Sequence, residues 1–342
     1  MTRQTGQSPP PPLLEVRDLS VVIDRDEGLV RPLNGVSFSI AAGQAVGIVG
    51  ESGCGKTMTA NALLRILPPA SRITTGQIRY RRKIDDREVD LAAMDPDSAA
   101  IRQIRGGDIS MIFQEPMTAF SPVHTIHNQI AEMIQLHDPM DERAARRRVV
   151  ELLDLVGIPN PDERADDYSF QLSGGMRQRA MIAMALASKP RLLIADEPTT
   201  ALDVTVQARV LKLIGRLQRE LGLALMLITH DLGVIAHTVE YVYVMYLGRV
   251  VEAGPVARIF DHPAHPYTRA LLQSVPSPSD KTNRLEPIEG SVPSAYSLPS
   301  GCPFHTRCDK EIDTICMRQV PPQVEIEKDH WASCFIHTER GP

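Results

Sequence analysis

The chain has 342 residues, 43% apolar and 23% charged, and a net charge of −5, which allows one large domain plus a smaller one. The acidic balance and the lack of a dense basic block argue against nucleic acid as the main partner. No apolar run approaches the roughly 20 residues of a membrane span, and the start, Met1-Thr2-Arg3-Gln4 with Pro9 to Pro12 behind it, carries no apolar signal region, so a cytoplasmic chain is expected.

Residues 1–12 read as a disordered tail, because a proline run neither packs nor donates backbone hydrogen bonds. Leu14 to Arg17 and Val36 to Ile40 alternate as strands should. Ala45 to Val49 is a short apolar run, read as a buried strand, that enters a glycine-rich loop at Gly50. Thr57 to Leu67 reads as the helix whose N-terminus faces that loop. Ser71 to Asp95 is polar and strand-like, the expected edge of an antiparallel subdomain. A helical subdomain is expected over about 116–187, with a charged face at Asp141 to Arg148. Buried strands return at Arg191 to Ala195 and Ala224 to Thr229. A hairpin around Leu247-Gly248 joins Tyr241 to Tyr246 with Arg249 to Glu252. Composition then shifts to Pro, Ser and His, which sets a boundary near Asp261 and divides the chain into 13–260 and 261–342. No internal repeat is present.

Gly50-Glu51-Ser52-Gly53-Cys54-Gly55-Lys56-Thr57 fits G-x-x-x-x-G-K-[ST]. Its glycines let backbone N–H groups converge on phosphates, Lys56 reaches the β- and γ-phosphates, and the Thr57 hydroxyl ligates Mg²⁺. Ser52, Gly53, Cys54, Gly55, Lys56, Thr57 and Met58 are the candidate nucleotide contacts. Flanking amides and Lys56 are expected to favour a thiolate, hence a reactive one, at Cys54. About 140 residues on, Arg191-Leu192-Leu193-Ile194-Ala195-Asp196-Glu197-Pro198 is a buried strand that ends in two carboxylates. Asp196 is the candidate to hold Mg²⁺ through water, and Glu197 to polarise the attacking water. Leu172-Ser173-Gly174-Gly175-Met176-Arg177-Gln178 opens a helix and offers a second phosphate-binding N-terminus. One chain has little use for two such surfaces unless the second serves a neighbour's nucleotide.

On these residues the chain resembles the ATP-binding subunits of ABC transporters. That resemblance implies an α/β fold: a P-loop ABC ATPase core with an antiparallel β subdomain and a helical signature subdomain, plus a small Cys-containing C-terminal extension. It implies roles for further residues. Gln114 matches the glutamine that contacts Mg²⁺ and links the core to the helical insert, His230 the histidine that senses the γ-phosphate, and Asp203 an aspartate that runs along the dimer interface. Ser173, Gly174 and Gly175 would bind ATP held by the opposite subunit. The family usually places an adenine-stacking aromatic after the first strand; Ile23 stands at that position here, and neighbouring Asp24, Arg25 and Asp26 supply no ring.

Ser110 to Met117, His265-Pro266-Tyr267-Thr268 with Ala270-Leu271-Leu272, and Gly301 to Cys308 narrow the resemblance to the oligopeptide/dipeptide/nickel importer ATPases. It covers about residues 13 to 335. Phe120-Ser121-Pro122 and Tyr168-Ser169-Phe170-Gln171 depart from the family's usual Leu-Asn-Pro and Tyr-Pro-His-Gln. The resemblance implies a peripheral ATPase at the cytoplasmic face of the membrane. Its partners would be a second, often different, ATPase, two permeases and an external binding protein, with residues 115 to 130 lining the groove for a permease coupling helix. A nucleic-acid-associated ABC ATPase is the alternative. Cys302, Cys308, Cys316 and Cys334 are spaced C-x₅-C-x₇-C-x₁₇-C. Thiolates suit zinc or an iron–sulfur cluster by chemistry alone; the resemblance implies a 4Fe–4S cluster, with zinc or four unligated buried cysteines as the other readings.

Overall fold

The computed structural model describes residues 11–114, 119–200, 203–274 and 288–338. Most of the expected tail, 1–10, lies outside them. Strands β1 (Leu14–Arg25) and β2 (Gly28–Ile40) form a long antiparallel hairpin. Both run well beyond the short stretches expected from alternation. β3 (Ala45–Val49) follows, then the Gly50 loop and helix α1 (Lys56–Leu63). The helix stops four residues before the expected Leu67. Leu64 closes it, Arg65 takes a left-handed φ of 55°, and Pro68-Pro69 cannot continue it. β4 (Ser71–Arg81) and β5 (Glu88–Asp90) complete a four-stranded sheet in the order β2-β1-β4-β5. α2 (Ala99–Ile104) then leads to β6 (Ile109–Ile112).

The helical layer contains α3 (Ile126–His137), α4 (Glu142–Leu155), α5 (Pro161–Ala165) and α6 (Gly174–Ala185). Thr125, Asp141 and Ser173 cap α3, α4 and α6 by accepting the amides of Asn128, Ala144 and Met176. Ile126, Ile130 and Ile134 form one buried stripe at helical spacing on α3. β7 (Leu192–Asp196), α7 (Val204–Leu221), β8 (Ala224–Thr229), α8 (Leu232–Thr238), β9 (Tyr241–Tyr246) and β10 (Arg249–Pro255) close the core. The β9–β10 turn falls at Leu247-Gly248 as expected, both with positive φ (43° and 74°), the conformation of a tight hairpin turn.

The second sheet has eight strands in the order β11-β12-β10-β9-β3-β8-β7-β6. β9, β3, β8, β7 and β6 run parallel. Parallel strands covered on both faces must be apolar throughout, and every residue of β3, β7 and β8 is buried. Their side chains alternate between two cores. Ala45, Val49, Leu193, Ala195, Leu225 and Leu227 pack toward the helical layer. Val46, Ile48, Ile194, Met226 and Ile228 pack toward the antiparallel sheet.

The C-terminal region is stitched to this sheet. α9 (Val256–Asp261) and α10 (Pro266–Gln273) follow β10 directly; later come α11 (Asp313–Arg318), β11 (Val324–Glu327) and β12 (His330–Ala332). β12 pairs with β10 through Glu252–Ala332 and Ala253–Trp331. A Cβ on Gly254 would stand 2.9 Å from the His330 ring, so only glycine permits this approach.

Glu252 is the buried hub of the junction. Its carboxylate pairs with His330 Nε2 at 2.8 Å and accepts the amides of Ala264 and His265, each at 2.8 Å. Burial alone would raise its pKa, yet these hydrogen bonds outweigh burial and hold it below the usual value of 4.5. The stability contributed by this depressed pKa is therefore fully present above pH 4.5 and is lost as pH falls through the lowered folded value. Glu252→Ala is expected to cost roughly 3–5 kcal/mol, because it strands a buried partner. Urea unfolding at pH 7 checks this, and the gap between wild type and variant should shrink below pH 4.

Candidate active site

The C-terminal ends of the parallel strands converge on one edge. β3 delivers the Gly50 loop, β7 Asp196 and Glu197, β8 His230, and β6 leads to Gln114. Gly50 and Gly55 have φ of 151° and 106°, and a Cβ on them would stand 2.2 Å from Met245 O and 2.4 Å from Pro32 O. The loop therefore keeps its backbone turned toward its open face, where Ser52, Gly53 and Thr57 are exposed and Met58 is half-buried. Lys56 is buried, and its ammonium donates to Gly50 O at 2.7 Å and Glu51 O at 3.1 Å. Those bonds hold the charge at the mouth of the loop.

Asp196 is 1% exposed and its Oδ1 has no hydrogen-bond partner among the described residues. Burial raises its pKa, while a hydrogen bond from Thr57 and the charge of Lys56 oppose the rise. A buried, under-satisfied carboxylate beside a threonine hydroxyl fits a divalent cation in chemistry and position.

Glu197 gathers the site. Its Oε2 accepts from Gln114 Nε2 at 3.2 Å and from Thr200 Oγ1 at 3.1 Å, and its Oε1 lies 3.2 Å from His230 Nδ1. Two side chains nominated from separate stretches of sequence, Gln114 and His230, thus meet on one nominated carboxylate. Thr200 is an addition that sequence reasoning missed, although it stands only three residues beyond Glu197. Glu197 also has a left-handed φ of 45°, unusual for a residue with a Cβ, and its amide donates to Ile228 O at 2.9 Å. This sharp turn directly after β7 lifts the carboxylate out of the sheet.

Ser173 and Gly174 are exposed at the start of α6, and Gly175 packs against α7, where an added Cβ would meet Val206 at 3.1 Å. Among the described residues these three share no hydrogen bond with the Gly50 loop or with Glu197. Asp203 is exposed and caps α7, accepting the amides of Thr205 and Val206 at 3.0 Å each; Ala201 and Leu202 lie outside the described residues.

The expected reactive Cys54 thiolate is overturned. Cys54 is 3% exposed, and burial pushes its pKa up despite Lys56, whose Nζ lies 4.0 Å from the sulfur. Ile23 is buried on β1, paired with Val30 and Ser71, and presents no stacking face.

The C-terminal region reaches this site, which the sequence did not signal. Arg307 forms a two-pronged ion pair with Glu51 of the loop, at 2.7 and 3.2 Å, and the Glu51 amide donates to Tyr267 Oη at 2.8 Å. Behind Arg307, Cys302, Cys308, Cys316 and Cys334 line a single cavity of about 10 Å³ with His265 and His305. Burial, and then the neighbouring sulfurs, push Cys302 up to about 12 and Cys308 up to about 11. The backbone amides of Phe304, Lys310 and Ile336 oppose that rise at Cys302, Cys308 and Cys334, and Cys316 Sγ accepts the amide of Ile312 at 3.4 Å. As they stand, no three His, Cys, Asp or Glu side chains among the described residues form a metal-holding group, so the expected cluster has no ready-made ligand geometry.

Residues 33–200 match the ABC transporter family and residues 251–316 the family described as the C-terminal region of oligopeptide/dipeptide transporters. The chain is 45% identical over 330 residues to the dipeptide transport ATP-binding protein DppD of Bacillus subtilis, covering 96% of each chain. It is 43% identical over 312 residues to the protein of the same name from Haemophilus influenzae, covering 91% of this chain and 92% of the relative. Among solved structures, the post-hydrolysis dimer of the ATP-binding cassette MJ0796 with ADP and Pi superimposes with a TM-score of 0.62 at 26% identity, over 71% of this chain and 98% of that one. With the phosphate loop, the paired carboxylates and the Glu197 network in place, the chain belongs to the ATP-hydrolysing subunits of ABC transporters of the oligopeptide/dipeptide type.

Proposed function

We propose that this ATPase powers import of peptides or a related small solute, working as one of two ATPases beneath a pair of permeases fed by an external binding protein. The observation that carries the catalytic part is the convergence of Gln114, Thr200 and His230 on Glu197. In this reading Lys56 and the loop amides hold the phosphates. Thr57, Asp196 and Gln114 would hold Mg²⁺, which neutralises charge on the phosphate oxygens. Glu197 accepts a proton from the attacking water, with His230 and Gln114 fixing its orientation. Ser173-Gly174-Gly175 at the α6 N-terminus, its first two residues exposed, faces the nucleotide of the opposite ATPase, and exposed Asp203 lies along the same interface. The peptide cargo rests on the relatives named for dipeptide transport. Nothing observed favours the nucleic-acid reading.

Docking to permeases has physical support. No helix among the described residues is long and apolar enough to cross a membrane. An apolar groove of about 520 Å³, lined by Met111, Phe113, Met133, Leu136 and Met184, opens between the core and the helical layer. It begins next to Gln114, so an occupant there would sit beside the Glu197 network. Of the residues expected to line it, 115 to 130, residues 115–118 lie outside the described residues and none of 119–130 lines this groove. Phe113, beside Leu136 in this groove, is 44% exposed and Leu136 67% exposed, so the groove presents a joined apolar surface.

We also infer that the four cysteines of the 261–342 extension hold a metal centre, a 4Fe–4S cluster being the form the resemblance implies. Four thiols around one cavity, with backbone amides that favour the thiolate beside them, suit thiolate ligation. His265 adds a buried Nε2 without a partner at the same cavity. About 10 Å³ is the room of one water or one ion, so a four-iron centre requires the thiol side chains to turn outward.

Glu197→Gln is expected to retain ATP binding while hydrolysis in the assembled transporter falls on the order of 10²-fold or more. Unchanged turnover would remove Glu197 from the role of base. Anaerobically purified protein is expected to contain about four irons per chain and to lose them in Cys308→Ser. Elemental analysis decides: one zinc replaces the cluster with a zinc site, and no metal leaves four buried thiols.

A further inference from the structure

We infer that Tyr296, a C-terminal residue, supplies the aromatic surface on which the nucleotide base stacks; this rests on the ATPase reading above and deepens it. The β1–β2 hairpin borders the phosphate loop, since a Cβ on Gly55 would meet Pro32 O at 2.4 Å and Leu33 Cδ2 at 2.9 Å. From Pro32 to the hairpin turn at Gly28 is about 13 Å along the strand, within the length of a nucleotide whose phosphates lie in the loop. The hairpin offers no ring of its own there. Its one aromatic, Phe38, is buried at the far end of β2 against Tyr243, with ring centroids 5.6 Å apart.

Tyr296 fills that gap from outside. Its hydroxyl donates to Glu27 Oε2 at 3.2 Å, and its Cδ1 lies 3.9 Å from where a Gly28 Cβ would stand. The ring is 49% exposed, so one face is held and surface is left for a ligand. The segment is tethered at its start. Arg307, paired with Glu51 of the phosphate loop, donates to Ile288 O and Glu289 O, which fixes the stretch that leads to Tyr296. One C-terminal segment thus touches the phosphate loop and, a few residues on, sets an aromatic ring beside the hairpin. A flat ring stacks on any base and adds affinity without hydrogen-bond readout.

Calorimetric titration of the full chain with MgATP and with magnesium tripolyphosphate, which has no base, tests this. Tyr296→Ala is expected to raise the Kd for MgATP about tenfold and to leave tripolyphosphate binding unchanged. Tyr296→Phe keeps the ring and is expected to bind MgATP like the wild type. An unchanged MgATP Kd in Tyr296→Ala overturns the inference. So does equal weakening of both ligands, which would mark a general disturbance of the loop, or a Phe variant as weak as the Ala variant. A wild-type chain that binds neither ligand would instead contradict the ATPase reading itself.

Discussion

The active edge depends on one constraint, the parallel hydrogen-bond ladder β9-β3-β8-β7-β6. Parallel strands end at the same side of a sheet, and the loops leaving those ends are where an open α/β sheet gathers its ligand contacts. Residues far apart in sequence become neighbours only because β3 pairs with β8 and β8 with β7. Gly47 shows how tight the packing is: a Cβ there would stand 2.6 Å from Ile235 of α8. A side chain at Gly47 would force the Ile235 and Val239 side chains to shift.

On this frame Glu197 holds a conformation that propensity opposes. A left-handed φ at a residue with a Cβ costs about 1–3 kcal/mol. The Ile228 carbonyl and the three side chains on the carboxylate hold it in place. His230 is 68% exposed while Glu197 is 17% exposed, so the network has a solid back and an open front. A group arriving from the front meets His230 first, which suits a residue that reports on what occupies the site.

The strands and the main site residues were legible because each carries a local pattern. β3, β7 and β8 are unbroken apolar runs, and their ends carry glycines, carboxylates and a histidine in recognisable order. What local pattern misses is burial and long-range pairing. Cys54 illustrates the first: the sequence shows Lys56 two residues away but not the walls of Met245 and Gly50 that desolvate the thiol. β11 and β12 illustrate the second. They are short and β11 is only half-buried, so no strand is expected there, yet β12 pairs with β10 and β11 with β12, which extends the main sheet. The Arg307–Glu51 pair spans 256 positions and carries no periodic signature.

That pair shows why the C-terminal region holds its place on the loop. The Arg307 side chain is 3% exposed, and an unpaired guanidinium there would be costly. All five of its N–H donors are engaged: Nε by Glu289 O, one terminal nitrogen by Glu51 Oε2 and Tyr246 Oη, the other by Glu51 Oε1 and Ile288 O. The cation also sits 5.9 Å from the Tyr246 ring centre and 6.0 Å from that of Phe304. Lysine would keep the charge but could match neither the fork nor the five bonds. Phe304 lies two residues beyond Cys302 and lines the cysteine cavity with it. The phosphate loop, the guanidinium and the wall of the cysteine cavity are therefore joined by a short chain of direct contacts.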